Sequence, residues 1–309
     1  MNIKNKFILV TGGAGFIGSR LVIKLVEKGY FVKVIDNLSR GSIDQISLFI
    51  KSGQVEFING DIRRKDVVDN AMEGIDYVFH EAATNINKNI KYPGESFDIN
   101  LNGSYVVFKS AKEHNVKKVL FASSASVYGQ PEALPMSEDS KLSPITPYCI
   151  CKLSSEYLLR CLDLKFIAFR YFNVYGAGQH VDAYYTSVIN TFQKNILDGN
   201  APVIVGDGNQ SMDFVHVSDV VNANILGLES DVENEVFNVG SGTSTTVREL
   251  AYKLIELMGE EVEPIFSPRK VIVDTRQADI QKIHKSLGFT PQTTLEEGLR
   301  EVVKLNGKR

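Results

Sequence analysis

The chain has few cysteines, no excess of charge of either sign, no long apolar run and no internal repeat, and each shortage removes a class of protein. Its three cysteines, Cys149, Cys151 and Cys161, fall in one stretch that reads as a helix, with none elsewhere to pair across the fold. Residues two apart point to different sides of a helix, so neither a disulfide framework nor a zinc site fits, and no metal is expected. Lysine plus arginine (34) nearly balances aspartate plus glutamate (37), and the net charge of −3 offers no electrostatic footprint for nucleic acid or an anionic membrane. No apolar run approaches the roughly 20 residues of a membrane span. The expectation is a cytoplasmic protein with neither nucleic-acid nor membrane partners. At 309 residues, without repeats or low-complexity segments, the chain can bury a substantial core as one large domain or two unequal lobes.

What is present is organised around Phe7 to Ser19, FILVTGGAGFIGS. Phe7 to Val10 reads as a short buried parallel strand, and Gly12, Gly13, Gly15 and Gly18 follow at once. Glycine serves there to make a tight turn, to let backbone N–H groups approach a pyrophosphate, and to let the next helix pack close to the sheet. Phe16, Ile17, Leu21, Val22, Leu25 and Val26 recur at helical spacing, so the turn opens onto a helix N-terminus that favours an anion. A second strand, Phe31 to Ile35, ends in Asp36. A carboxylate at that tip accepts both hydroxyls of an adenosine ribose and repels a 2′-phosphate, which argues for NAD over NADP.

Strands and helices alternate through the first half, the pattern of a doubly wound parallel sheet. A strand at Val55 to Ile58 leads to Gly60 and Asp61; that aspartate either reaches an adenine amino group or caps a helix at Arg63 to Met72. The strand Tyr77 to His80 runs into Glu81, Ala82 and Ala83, where small residues leave room for a cofactor, and His80 reads as structural. A helix from about Ser96 to Asn115 carries Phe97, Leu101, Tyr105 and Phe108 on one face, with Asn100 near its start. The strand Val119 to Ala122 then ends in Ser123, Ser124, Ala125 and Ser126, hydroxyl groups at the carboxyl edge where such sheets bind ligands. Thr146 and Pro147 start a helix bearing Tyr148 and Lys152, four apart on one face. An ammonium near a phenol favours the phenolate, so this pair is the expected base.

After the strand Phe166 to Phe169 the alternation weakens. A helix is expected at 186–197, a strand at Phe214 to Val217, a helix at Val220 to Leu228 and a strand at Val236 to Val239. Beyond Val247 the pattern gives two amphipathic helices separated by a basic loop at Arg269 and Lys270. The expected division is a dinucleotide-binding domain over 1–172, with 214–244 returning to it, and a smaller lobe from 173–213 and 245–309 facing it across a cleft.

With these motifs in order, the chain resembles the extended short-chain dehydrogenase/reductase family, in particular the nucleotide-sugar 4-epimerases. The resemblance runs through TGGAGFIGS, DNLSRG, GDIR, HEAA, SSASVYG, PYCICK, RYFNVYG, GDGNQSMDFVHVSDV and FNVGSG, nearly the whole chain. It implies an α/β fold, a Rossmann-type doubly wound parallel sheet with a smaller C-terminal substrate-binding lobe, and a tightly held NAD that is recycled within each turnover. Gly12, Gly15 and Gly18 would hold the pyrophosphate, with Phe16 and Ile17 beside them. Asp36 and Asn37 would take the adenosine ribose, Asp61 and Ile62 the adenine, and Ala82, Ala83 and Asn100 would complete the cofactor wall. Tyr148 would be the base, Lys152 would hold the nicotinamide ribose, and Ser124 would bind the reacting sugar hydroxyl. Ser126, Asn173 and Arg269 would contact the nucleotide-sugar substrate. The family usually forms homodimers, through the helices here at 96–115 and 148–163.

The chain departs from its relatives in ways that bear on the reaction. Related 4,6-dehydratases carry an Asp-Glu pair where Ala125 and Ser126 stand, and enzymes that epimerise C3 and C5 use Cys and His where Ala125 and Ser187 stand. Met212 occupies the place of an arginine that contacts the substrate diphosphate, and Arg269 lacks its usual Arg-Pro-Gly-Asp surroundings. A 4-epimerase of UDP-glucose, UDP-galactose or their N-acetyl forms is the expectation. The alternatives are a GDP- or UDP-sugar 4-dehydrogenase using the same Ser-Tyr-Lys set, a 4,6-dehydratase, and a non-catalytic NAD-binding regulator.

Overall fold

The computed structural model describes residues 6–84, 90, 92–179, 187–268 and 275–306. Its centre is an all-parallel sheet of seven strands: β1 (Phe7–Thr11), β2 (Phe31–Asp36), β3 (Val55–Asn59), β4 (Tyr77–His80), β5 (Lys118–Ser124), β6 (Phe166–Tyr171) and β11 (Glu235–Val239). They lie in the order β11-β6-β5-β4-β1-β2-β3. Every residue of β4 and β6 is buried, as a parallel strand covered on both faces requires. Register is set by these apolar runs: Ile8 lies opposite Val32 on one side and Tyr77 on the other, and Ser124 lies opposite Tyr171.

Two apolar layers enclose the sheet. On one side α1 (Phe16–Glu27) packs against α7 (Val217–Glu229) over Ile8, Val10, Phe79, Phe169 and Phe237, with the short α2 (Ser47–Lys51) at the margin. On the other, α3 (Lys65–Met72), α4 (Ser104–Glu113) and α5 (Pro147–Cys161) cover Leu9, Val78, Phe121 and Ala168. Full burial of one such side chain contributes about 1.5–3 kcal/mol, so both layers are needed to offset the entropy of ordering the chain.

Between β4 and α4 the chain departs from the expected single helix. A turn at Pro93–Ser96 is followed by a π-helical segment, Phe97–Gly103, before α4 begins. The wider turn breaks the 3.6-residue stripe, so Phe97 and Tyr105 are exposed while Phe108 is buried. A side chain on Gly103 would meet Ile62 at 2.8 Å, so glycine permits this close approach.

A second apolar core gathers Ile189, Phe192, Ile204, Met212, Phe214, Leu250, Leu254 and Leu299. It is built by α6 (Ser187–Leu197), α8 (Val247–Met258) and α10 (Leu295–Asn306) with short strand pairs. These are β8 (Val203–Val205) with β13 (Ile265–Ser267), β9 (Ser211–Met212) with β12 (Thr245–Thr246), and β7 (Asn173–Tyr175) with β10 (Phe214–His216). Among the described residues the tail holds three helices rather than the expected two. The additional one, α9 (Gln281–Leu287), has only seven residues and buries just Ile283 and Leu287, too short a stripe to show as a period. No helix among the described residues is long and apolar enough to cross a membrane.

Candidate active site

At the carboxyl edge of the sheet, the turn after β1 opens a cavity of about 640 Å³. Gly12 has φ +70, and a side chain there would meet the Ala82 backbone nitrogen at 2.7 Å, so the β1 and β4 tips can approach each other only through glycine. A side chain at Gly18 would overlap the Gly12 carbonyl, which is why α1 can start so close to the sheet. The α1 N-terminus has Gly15 at its cap and no acidic residue in its first turn. Its first N–H groups therefore face the cavity without a competing side-chain acceptor.

Eleven of the expected cofactor residues line this one space: Gly12, Gly15, Phe16, Ile17, Gly18, Asp36, Asn37, Asp61, Ile62, Ala82 and Ala83. The Asp36 carboxylate ends β2 and accepts from the backbone N–H of Ala14 (3.0 Å) and Leu38 (2.8 Å), which fixes a negative group at the strand tip. Asp61 is held by Arg63, whose backbone N–H and side chain both donate to it at 2.7–2.9 Å. That pairing holds its carboxyl below the usual carboxylate range. Asp61 thus forms the turn before α3, whose first residue is Lys65 rather than Arg63. A dinucleotide fits this donor set: a glycine turn and open helix end for the pyrophosphate, and a carboxylate for the ribose.

Asn100 does not line the cavity. The π-helical segment buries it behind the wall, where its Oδ1 accepts from the Thr84 backbone N–H at 2.8 Å, while Glu95 and Ile99 take the lining positions. Spacing alone could not show this shift. Glu81, Ser39, Arg40 and Gln179 also line the cavity without having been marked as cofactor residues, although Glu81 lies in the HEAA motif. His80 is structural: its ring is fully buried, hydrogen-bonded to Thr11 (2.7 Å) and Ser104 (2.9 Å), and burial drives it down to about 3. Among the described residues no group of histidine, cysteine, aspartate and glutamate could hold a metal ion.

The expected catalytic set meets at the tips of β5 and β6. Ser124 ends β5, and its hydroxyl receives hydrogen bonds from the Ser126 N–H (3.2 Å) and Ser126 hydroxyl (2.9 Å). Thr146 caps α5, and Pro147 at its first position sets the direction of the helix. Tyr148 is half-buried and hydrogen-bonded with Ser124. Lys152 is buried, donates to the Ala122 carbonyl at 2.5 Å, and sits 5.7 Å from the centre of the Tyr148 ring.

The electrostatics differ from expectation. Burial pushes the Tyr148 phenol up, with the Ser124 hydrogen bond working only partly against it, and burial pulls Lys152 down to about 8. The ammonium is spent on a carbonyl rather than on the phenol oxygen, so desolvation outweighs the pairing that a four-residue spacing suggests.

Below the site a buried network anchors α5. Arg170 on β6 forms a two-point pair with Glu156 (3.0 and 2.8 Å), Ser123 donates to the same carboxylate, and Arg170 also reaches the Tyr128 hydroxyl at 2.9 Å. Tyr128 in turn donates to Asn238 at 2.7 Å.

The expected substrate contacts are less gathered. Asn173 is buried on β7 and gives its amide to the Asp213 carbonyl at 2.9 Å. Met212 belongs to the second core, where an apolar residue packs and a charge would be stranded. Arg269 lies outside the described residues.

Residues 8–240 match the family model described as the NAD dependent epimerase/dehydratase family. The UDP-glucose 4-epimerase of Mycolicibacterium smegmatis is 34% identical over 314 residues, 96% of this chain and 97% of that one. The Thermotoga maritima UDP-glucose 4-epimerase solved with UDP-glucose superposes with a TM-score of 0.90 at 37% identity, covering 98% of this chain and 99% of that one. The Thermus thermophilus UDP-glucose 4-epimerase solved with NAD gives 0.89 at 30% identity, covering 98% and 99%. The chain belongs to the NAD dependent epimerase/dehydratase family.

Proposed function

We propose that this protein is an NAD-dependent nucleotide-sugar 4-epimerase acting on UDP-linked hexoses, with Ser124, Tyr148 and Lys152 as its catalytic set. The observation that carries the reading is the placement of these three side chains at the β5 tip, on the edge that also bears the cavity lined by the glycine turn and Asp36. Bound NAD supplies a reversible hydride acceptor. Tyr148 takes the proton of the sugar C4 hydroxyl, Ser124 holds that hydroxyl against the phenol, and Lys152 braces the nicotinamide ribose. Asp36 and Asn37 select the ribose without a 2′-phosphate, and the α1 N-terminus holds the pyrophosphate.

The 4-keto sugar then turns over and is reduced on its other face, Tyr148 returning the proton. Elimination of water has no support, because Ala125 and Ser126 supply neither carboxyl of an acid–base pair. Met212, which stands in place of a diphosphate arginine, is a packing residue and so lends no structural support to the 4-dehydrogenase alternative. The lobe over 173–213 and 245–309 is inferred to hold the UDP-sugar, and the enzyme to work as a cytoplasmic homodimer.

The test is proton NMR of the protein as purified, incubated without added cofactor with UDP-galactose and with UDP-N-acetylglucosamine. Formation of the C4 epimer from at least one of them is expected, with Tyr148→Phe slower by about 10²–10⁴-fold. Absence of any epimer, or full turnover by Tyr148→Phe, overturns the reading.

A further inference from the structure

Glu81 follows β4, whose last residue, His80, pairs in register with Phe121. Continuing that register sets Glu81 beside Ala122, the residue whose carbonyl receives the Lys152 ammonium. Strand alternation turns Glu81 away from His80 and toward the α1/α7 side. There its Oε1 accepts from the Tyr171 hydroxyl at 3.0 Å, and the Tyr171 oxygen accepts from the Asn224 amide at 2.7 Å. The amide leaves the phenol proton only one place to go, so the chain runs from Asn224 through Tyr171 to Glu81. Lys152 is 3% exposed and forms no salt bridge among the described residues. Glu156, one turn along the same helix, is committed to Arg170 and Ser123.

We propose that Glu81 is a positioning residue whose carboxylate, held by Tyr171, balances the buried charge of Lys152 and through it sets how readily Tyr148 gives up its proton. The inference rests on the reading of Tyr148 and Lys152 as catalytic. Among the described residues, the titratable groups facing Glu81 are Tyr171 from β6 and Lys152 and Tyr148 from α5. His80 on its own strand points to Thr11 and Ser104 and is neutral. Burial raises Glu81 to about 7, with the Tyr171 hydrogen bond and Lys152 working against that rise. The carboxyl therefore changes charge near neutrality. Once ionised, it favours the Lys152 ammonium and opposes the Tyr148 phenolate.

The experiment compares the wild type, Glu81→Gln and Tyr171→Phe by kcat/KM for UDP-galactose and by melting temperature, each between about pH 5 and 9. The wild-type kcat/KM profile should inflect near pH 7, Glu81→Gln should lose that inflection, and Tyr171→Phe should move it upward, because the hydrogen bond that lowers Glu81 is gone. Melting supplies an arm independent of turnover. An acid whose folded value is raised stabilises the fold fully below its ordinary value of 4.5 and loses that stability as pH rises through about 7. Across that window the wild-type melting temperature should fall relative to Glu81→Gln. A Glu81→Gln profile that superposes on the wild type, or a flat melting difference, overturns the proposal. If the wild type turns over no UDP-galactose at any pH, the catalytic reading fails and the tuning of Tyr148 falls with it, whereas the melting arm still reports whether Glu81 changes charge within the fold.

Discussion

Lys152 carries its ammonium in a place where a charge is unfavourable, and the pH dependence of stability should report it. Its folded value, about 8, lies below the ordinary 10.5. A base shifted this way contributes its full stability above the unfolded value and loses it as pH falls through the folded one. Wild type should therefore gain on Lys152→Met by up to about 3 kcal/mol as pH rises from about 7 to 10. Urea unfolding of both proteins at the two ends of that range checks this, and a constant difference would contradict it. At this scale the glycine turn and Asp36 were legible in the sequence, because steric exclusion at Gly12 and a carboxylate at a strand tip are properties of the residues themselves. The direction of the Tyr148 shift was not. Spacing brings Tyr148 and Lys152 to one helical face, but it shows neither the burial around the phenol nor the carbonyl that takes the ammonium. Glu81 was placed at the strand tip without a role, since its importance depends on Tyr171, 90 residues away.

At the scale of elements, α5 acts as the rail on which Tyr148 and Lys152 ride, and Glu156 locks its position. Its pair with Arg170 is 5% exposed on both sides, so the carboxylate cannot be replaced by water. Glu156→Gln leaves a buried guanidinium without its counter-charge and should destabilise by about 3–5 kcal/mol. Equilibrium urea unfolding measures this, and a loss under about 1 kcal/mol would mean that the pair is not what fixes the helix. Most sheet strands and the larger helices were legible within a few residues, because continuous apolar runs and 3.6-residue stripes mark them directly. The π-helical segment at Phe97–Gly103 was not, since a single widened turn leaves no period of its own in the sequence. The strand pairs of the second core were equally hidden, being two or three residues long and joined across distant parts of the chain.

For the molecule as a whole, the surface of α5 and the segment leading into α4 bear on assembly. Phe97, Tyr105, Ile150 and Tyr157 are large apolar residues left exposed on the helices inferred to pair, with Tyr157 57% accessible. Light scattering at micromolar concentration should give twice the chain mass of 34.3 kDa, and Tyr157→Arg should shift the protein toward the monomer. A wild-type monomer would contradict the dimer. The doubly wound parallel sheet was legible in the alternation of strands and helices, whereas its strand order and the place of Met212 in the second apolar core emerged only from the packing. The most direct test of the whole scheme uses UDP-galactose deuterated at C4, incubated with the protein as purified and followed by NMR. An epimerase that takes and returns the same hydrogen within one pocket predicts UDP-glucose with deuterium retained at C4. Loss of the label to solvent, or a 4-keto sugar accumulating in place of the epimer, would contradict it.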